Sequence, residues 1–196
     1  MTSSFFAIVS RMKYIDRWAL MRNSRKENIS EHSHEVAVLA HALAVIGNKR
    51  LGKNLNAERA ALLGLYHDTT EIITGDLPTP IKYKDESLQK AYKHIEDQAA
   101  HSLLERLPED LREEYESLFL PRTEDAYLLQ LVKAADKLSA LIKCIEEGKT
   151  GNKEFLQAKD ATYRKLQDMH LPELDLFMEE FLAPYHYSLD EMGDLS

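Results

Sequence analysis

Four residues spread along this sequence have side chains suited to hold a metal and sit inside apolar, helix-like patterns: His32, the adjacent pair His67 and Asp68, and Asp136. Two imidazoles and two carboxylates make a donor set suited to Mn, Fe, Co, Ni or Zn rather than to a thiolate-seeking metal. His32 stands in SEHSHE, His67-Asp68 closes the apolar run ALLGLY, and Asp136 lies in LVKAADKLSALI. An ionised carboxylate set among Val132, Ala135 and Ser139 is costly to bury unless a cation faces it. Neighbouring helical residues point about 100° apart, so His67 and Asp68 reach one ion only at a helix end or bend. The following TTEIITGD supplies such an ending. Glu71 is four residues after His67 and three after Asp68, which puts it on the same face, placed to move a proton without being a ligand. Spacing alone admits a second reading. The His-Asp pair then marks an ordinary helix C-terminus, and Asp136 lies on an exposed helix edge beside Lys133 or Lys137.

The elements that must position these residues read as all-α. Gly and Pro number only 7 and 6 in 196 residues, too few for many turns, and apolar spacings of three and four dominate. The first helix is predicted over Phe5–Leu20, followed by a break at RNSRKENIS with Ser30 as N-cap of the next. That second helix carries Val36, Leu39, Ala40, Leu43 and Ile46, and Gly47 is expected to end it. A third starts near Asn56 and runs into YHDTTEIITGD. The two prolines of GDLPTPIKYKD predict a stiff, extended loop. Helices follow over 86–106, 108–119, 124–147, 151–168 and 172–183. The apolar face of 124–147 is Leu128, Leu131, Val132, Ala135, Leu138 and Ile142. No repeat or linker interrupts the chain, so residues 1–196 are expected to form one helical domain.

Composition narrows the function. A hydrophobic fraction of 44% is enough for a sizeable core and argues against disorder. A net charge of −8 disfavours binding to a nucleic-acid polymer and obliges any anionic substrate to find local positive charge. One cysteine, Cys144, excludes an internal disulfide and a cysteine zinc cage; its neighbours Leu141, Ile142 and Ile145 mark it as a buried hydrophobe. No stretch approaches the roughly 18 apolar residues of a membrane span. The N-terminus lacks the charge pattern of a signal peptide. A cytoplasmic protein is the expectation. His34 and His41 read as a helix flank, His94 and His101 as a solvated stripe, and His170 and His186 as surface residues.

The pattern His32…His67-Asp68…Asp136 in an all-α chain resembles the HD superfamily of metal-dependent phosphohydrolases. The strings RWALMRN, ENISEHS, YHDTTEIITGDLPTPIKY and VKAADKLSALIKCIEE, in this order, resemble the bacterial YfbR-type 5′-deoxynucleotidases over nearly the whole chain. An HD pair alone is weakly specific, whereas HD followed by E-I-x-TGDLPTP is strongly so. The resemblance implies hydrolysis of deoxyribonucleoside 5′-monophosphates by a homodimer that works well with Co²⁺, with Mn²⁺ or Zn²⁺ as alternatives. It implies metal ligands His32, His67, Asp68 and Asp136, with His32, Asp68 and Asp136 also touching substrate. It further implies a catalytic Glu71, an Arg17-Trp18 substrate pair with Arg17 also catalytic, and a nucleotide-contacting segment of Asp76, Leu77, Pro78 and Thr79. The EEGKTGNKEF stretch is slightly shorter than the family's and is expected to lie away from every site position. Two rivals stay open. One is an HD-type phosphodiesterase or triphosphohydrolase, whose second metal would need His94 and His101. The other is a non-catalytic nucleotide-binding regulatory module.

Overall fold

Apolar stripes at helical spacing can leave water only by facing one another, and this chain does so with two long central helices. A computed structural model describes residues 2–78 and 85–193. Its α-helices are α1 (Phe5–Val9), α2 (Ile29–Arg50), α3 (Ala57–Tyr66), α4 (Glu71–Thr74), α5 (Glu86–Leu104), α6 (Glu109–Phe119), α7 (Ala126–Lys149), α8 (Leu156–Gln167) and α9 (Pro172–Phe181). The described residues contain no strand, only an isolated antiparallel bridge between Asp16 and Asn28. No helix among them is long and apolar enough to cross a membrane.

The main core joins α2, α3, α7, α8 and α9 through Val36, Leu43, Leu63, Leu131, Leu138, Leu166 and Leu174, among others. All six predicted apolar positions of α7 are buried. A smaller cluster of Phe5, Leu103, Leu104 and Leu107 ties α1 to α5, with Tyr115 and Phe119 of α6 packed against it. Cys144 is buried in α7, and burial pushes its thiol up to about 11, as an inert hydrophobe requires.

Several predicted boundaries move. Helix α2 is capped by Asn28, whose side chain accepts from the Glu31 N–H at 3.0 Å, rather than by Ser30, which is already inside the helix. It also passes through Gly47 to Arg50. Gly47 is there for close packing: a Cβ would meet Glu173 Oε1 at 2.8 Å and Leu55 Cδ1 at 2.9 Å. The first helix is much shorter than Phe5–Leu20. It becomes a 3₁₀ turn over Ser10–Tyr14, after which Ile15 is extended and its carbonyl accepts from the Ile29 N–H at 3.0 Å. Backbone pairing with the entry to α2 therefore replaces helical bonding from residue 15 onward. The predicted 151–168 helix opens as a 3₁₀ turn over Lys153–Phe155 before α8 begins.

Candidate metal centre

The His67-Asp68 pair sits where spacing required it. Helix α3 ends at Tyr66, His67 is its C-cap, and residues 67–70 form a turn before α4 starts at Glu71. The approach of α3 to α2 is set by Gly64, where a Cβ would lie 3.0 Å from the Ala37 Cα and 3.1 Å from the Val36 carbonyl oxygen. That contact brings the His32 and His67 rings to 5.2 Å between centroids. Ligand atoms of His32, His67 and Asp68 all lie within 4.8 Å of one another. Asp136 of α7 closes the group, its Oδ1 3.2 Å from His32 Nε2. Asp68 Oδ2 stands 3.1 Å from His67 Nε2 and 3.6 Å from His32 Nε2.

Donor chemistry separates a metal centre from an ordinary ion-pair cluster. The His67 Nδ1 lies 2.8 Å from the Gly64 carbonyl, which only accepts, so Nδ1 carries the proton and Nε2 is the end turned to the carboxylates. Ser139 Oγ of α7 donates to Glu35 Oε2 of α2 at 2.5 Å, and His32 Nδ1 lies 3.0 Å from that hydroxyl and 2.8 Å from Arg17 NH1. Both Nε2 atoms are buried without a hydrogen bond although carboxylate oxygens surround them. Two buried imidazole nitrogens facing two carboxylates, with neither satisfied, fit a divalent cation between them. Burial and then the charge of Arg17 lower the pKa of His32, which keeps that ring neutral as a ligand must be. Burial also disfavours the charged His67 ring, but the Asp68 carboxylate outweighs it and lifts His67 to about 9. A cation would take the place of that proton. Burial opposes ionisation of Asp136, yet the two imidazoles and Arg17 hold its pKa below the usual carboxylate range. Asp136 does lie near Lys137 (4.0 Å from Oδ2), with its side chain 34% exposed, but its other oxygen faces His32.

The remaining histidines stay apart: His34, His41, His94, His101, His170 and His186 are all exposed. His94 and His101 thus supply no second cluster among the described residues. Glu71 is buried at the start of α4, its backbone N–H on the Asp68 carbonyl at 3.0 Å. Asp76, Leu77 and Pro78 are half-buried beyond Gly75, while Thr79 lies outside the described residues.

Arg17 and Trp18 arrive from the segment between the 3₁₀ turn and α2. The guanidinium reaches Glu27 at 2.8 Å, His32 Nδ1 at 2.8 Å and Asp136 at 3.8 Å. Burial opposes its charge, but Glu27, Asp136, Asp68 and Asp76 together raise its pKa, so a cation is locked beside the cluster. Trp18 is half-buried rather than core, has a left-handed backbone (φ 58°), and packs on Phe155 at 5.3 Å between centroids. That contact corrects one expectation: EEGKTGNKEF does not lie away from the site. Glu147, inside it, accepts from the Ser24 N–H at 2.8 Å, and Asn152 donates to both Glu147 and the Arg22 carbonyl. The stretch therefore holds the loop behind Arg17 and Trp18. Sequence reasoning also missed Glu27, Glu35 and Ser139. The available signal was the i,i+3 pairing of His32 with Glu35 and of Asp136 with Ser139 on two facing helices.

The fold is that of the HD-domain phosphohydrolases. It is similar to such a protein from Listeria innocua, with a TM-score of 0.77 and 21% identity over 93% of this chain and 88% of that one. A cyanophage S-2L HD phosphohydrolase, solved with dA and one catalytic Zn²⁺ ion, is similar at a TM-score of 0.65 and 18% identity, over 94% of this chain and 97% of that one. Residues 4–185 match the 5′-deoxynucleotidase YfbR-like family, and the chain belongs to it. A 5′-deoxynucleotidase of Erwinia tasmaniensis is 49% identical over 194 residues, covering 99% of this chain and 98% of that protein.

Proposed function

We infer that this protein hydrolyses deoxyribonucleoside 5′-monophosphates to deoxyribonucleosides and inorganic phosphate. The observation that carries the chemistry is the meeting of two unsatisfied imidazole Nε2 atoms with Asp68 and Asp136 beside the Arg17 guanidinium. The substrate class follows from the relatives' activity and near-full-length likeness.

His32, His67, Asp68 and Asp136 would hold one divalent transition metal, with Co²⁺ the preferred ion and Mn²⁺ or Zn²⁺ next. Bound there, it supplies Lewis-acid polarisation of a phosphoryl oxygen and acidifies water. The protein's own groups do the rest. Arg17 forks onto phosphate oxygens and aligns the phosphorus for in-line attack, giving the local positive charge that a net −8 denies elsewhere. Water adds to phosphorus as the P–O5′ bond breaks, so one proton leaves the water and one reaches O5′. Glu71, buried beside the cluster, moves the proton at one of those two atoms. Trp18 places a flat apolar wall against the sugar, where a 2′-hydroxyl would lose its hydration without gaining a partner. The segment Asp76, Leu77, Pro78 and Thr79 would line the nucleotide's other edge, stiffened by proline. We read the chain as one domain over 1–196, working as a cytoplasmic homodimer.

The test is phosphate release from a matched panel: each deoxynucleoside 5′-monophosphate, its ribo counterpart, a 3′-monophosphate and a cyclic diester. Release confined to 5′-deoxy monophosphates is expected. Cleavage of the diester alone would move the assignment to a phosphodiesterase, and silence with retained nucleotide binding to a regulatory module.

A further inference from the structure

We infer that Glu27 is a positioning residue that couples phosphate alignment to sugar discrimination, because one of its carboxylate oxygens holds both Arg17 and Trp18. Oε2 accepts from Arg17 NH1 at 2.8 Å and from the Trp18 indole Nε1–H at 2.9 Å. This rests on the reading of the site as a 5′-deoxynucleotidase centre and assigns that site a residue acting through its two neighbours.

The link is built at two levels. The backbone sets it first: the Arg17 N–H donates to the Glu27 carbonyl at 2.9 Å, and Asp16 bridges Asn28 alongside. Residues 17 and 27 are thereby opposite each other across the loop, and the side-chain contacts follow from that register. The Glu27 side chain is 12% exposed and that of Arg17 11%, deep enough that each charge depends on the other.

Removing the carboxylate has a definite consequence for Arg17. After Glu27, the charges acting on the guanidinium are Asp136, Asp68 and Asp76. Without Glu27 the side chain would be drawn onto Asp136 and Asp68, where it competes with a cation instead of facing a phosphate. Trp18 depends on the same atom. Its left-handed backbone (φ 58°) is strained for a bulky residue. The ring is held by the indole bond, by Phe155 and by Arg17, whose guanidinium carbon is 5.9 Å from the ring centroid. An indole has one donor, so losing Oε2 leaves the ring with packing contacts alone. Phosphate clamp and sugar wall would then shift together.

The test compares wild type, Glu27→Ala and Glu27→Gln on deoxyadenosine and adenosine 5′-monophosphates, with acrylamide quenching of the chain's single tryptophan measured in the absence of substrate. Glu27→Ala is expected to lower kcat/KM for the deoxy substrate by about tenfold or more. The ribo substrate should lose less, so the deoxy-to-ribo ratio narrows, and Trp18 should be quenched more steeply. In Glu27→Gln the amide oxygen can take the Oε2 position, so quenching and ratio stay close to wild type while the rate still falls with the lost charge. This near-isosteric variant also carries the test if Glu27→Ala does not fold. An equal loss on both substrates with unchanged quenching in Glu27→Ala would reduce Glu27 to a structural residue and overturn the inference. So would variants that match an active wild type. A wild type that releases no phosphate from either nucleotide overturns the reading beneath it, a result distinct from the other two.

Discussion

Glu71 starts α4 one turn after the His67-Asp68 pair, buried, with its backbone bonded to Asp68. Its position makes the proton-transfer role separable from metal binding. Glu71→Ala is expected to cut turnover by about 10²–10⁴-fold while bound metal, measured by elemental analysis, stays at the wild-type level. Loss of metal in parallel with activity would make it a ligand instead. At this scale His32, His67, Asp68 and Asp136 were legible because imidazoles and carboxylates are conspicuous inside apolar helical patterns. Glu27 was not. It lies in a polar stretch without periodicity, and its meaning comes from a backbone pairing across ten residues that no local pattern announces. Ser139 was visible only as a neighbour of Asp136, because its hydroxyl acts through Glu35 on another helix.

Two elements fix the site's shape, and each can be probed away from the chemistry. Gly64 lets α3 lie against the α2 backbone, so the Cβ of Gly64→Ala would have to push the helices apart. Any helix-propensity gain of up to about 1 kcal/mol is set against an overpacking cost of about 1–3 kcal/mol. Gly64→Ala is therefore expected to unfold at lower denaturant and to bind metal more weakly, because His32 and His67 separate. Unchanged metal affinity would show that the helix contact does not set the site. The loop behind Arg17 and Trp18 is held by Glu147 of α7. Burial alone would raise that carboxyl, but Lys143 at 2.5 Å, Asn152 and the Ser24 N–H bring it down to about 2 from an ordinary 4.5. A carboxylate depressed on folding adds stability that is present above 4.5 and is lost as pH falls toward 2. Denaturation from pH 5 to 2 should be steeper in pH for wild type than for Glu147→Gln, and equal slopes would remove Glu147 from that role. Helices α2 and α7 were readable from apolar spacing over five turns or more. The end of the first helix was not, because Ile15 continues the apolar register while its carbonyl is taken by Ile29 from outside the segment. The importance of EEGKTGNKEF was missed for the same kind of reason: Phe155 and Asn152 act on residues more than a hundred positions earlier.

The molecule as a whole is a helical core that brings His32 and Asp136 from two helices and His67 and Asp68 from a turn to one point. Against a net charge of −8, the point holds one buried cation, Arg17, kept charged by Glu27, Asp136, Asp68 and Asp76. All-α architecture followed from spacing and composition, and spacing left the four metal-binding side chains as one of two readings until the family resemblance was added, whereas the cradle around Arg17 and Trp18 required knowing which loops meet. The central claim is that one cation at His32, His67, Asp68 and Asp136 drives 5′-deoxynucleotide hydrolysis. It is tested most directly by stripping the protein with a chelator, adding Co²⁺ back in measured equivalents, and following phosphate release from a deoxynucleoside 5′-monophosphate. Activity should be absent at first, rise in proportion to added metal, level off at one equivalent per chain, and stay absent in Asp68→Asn. Release that survives stripping, or a requirement for two equivalents, would contradict it.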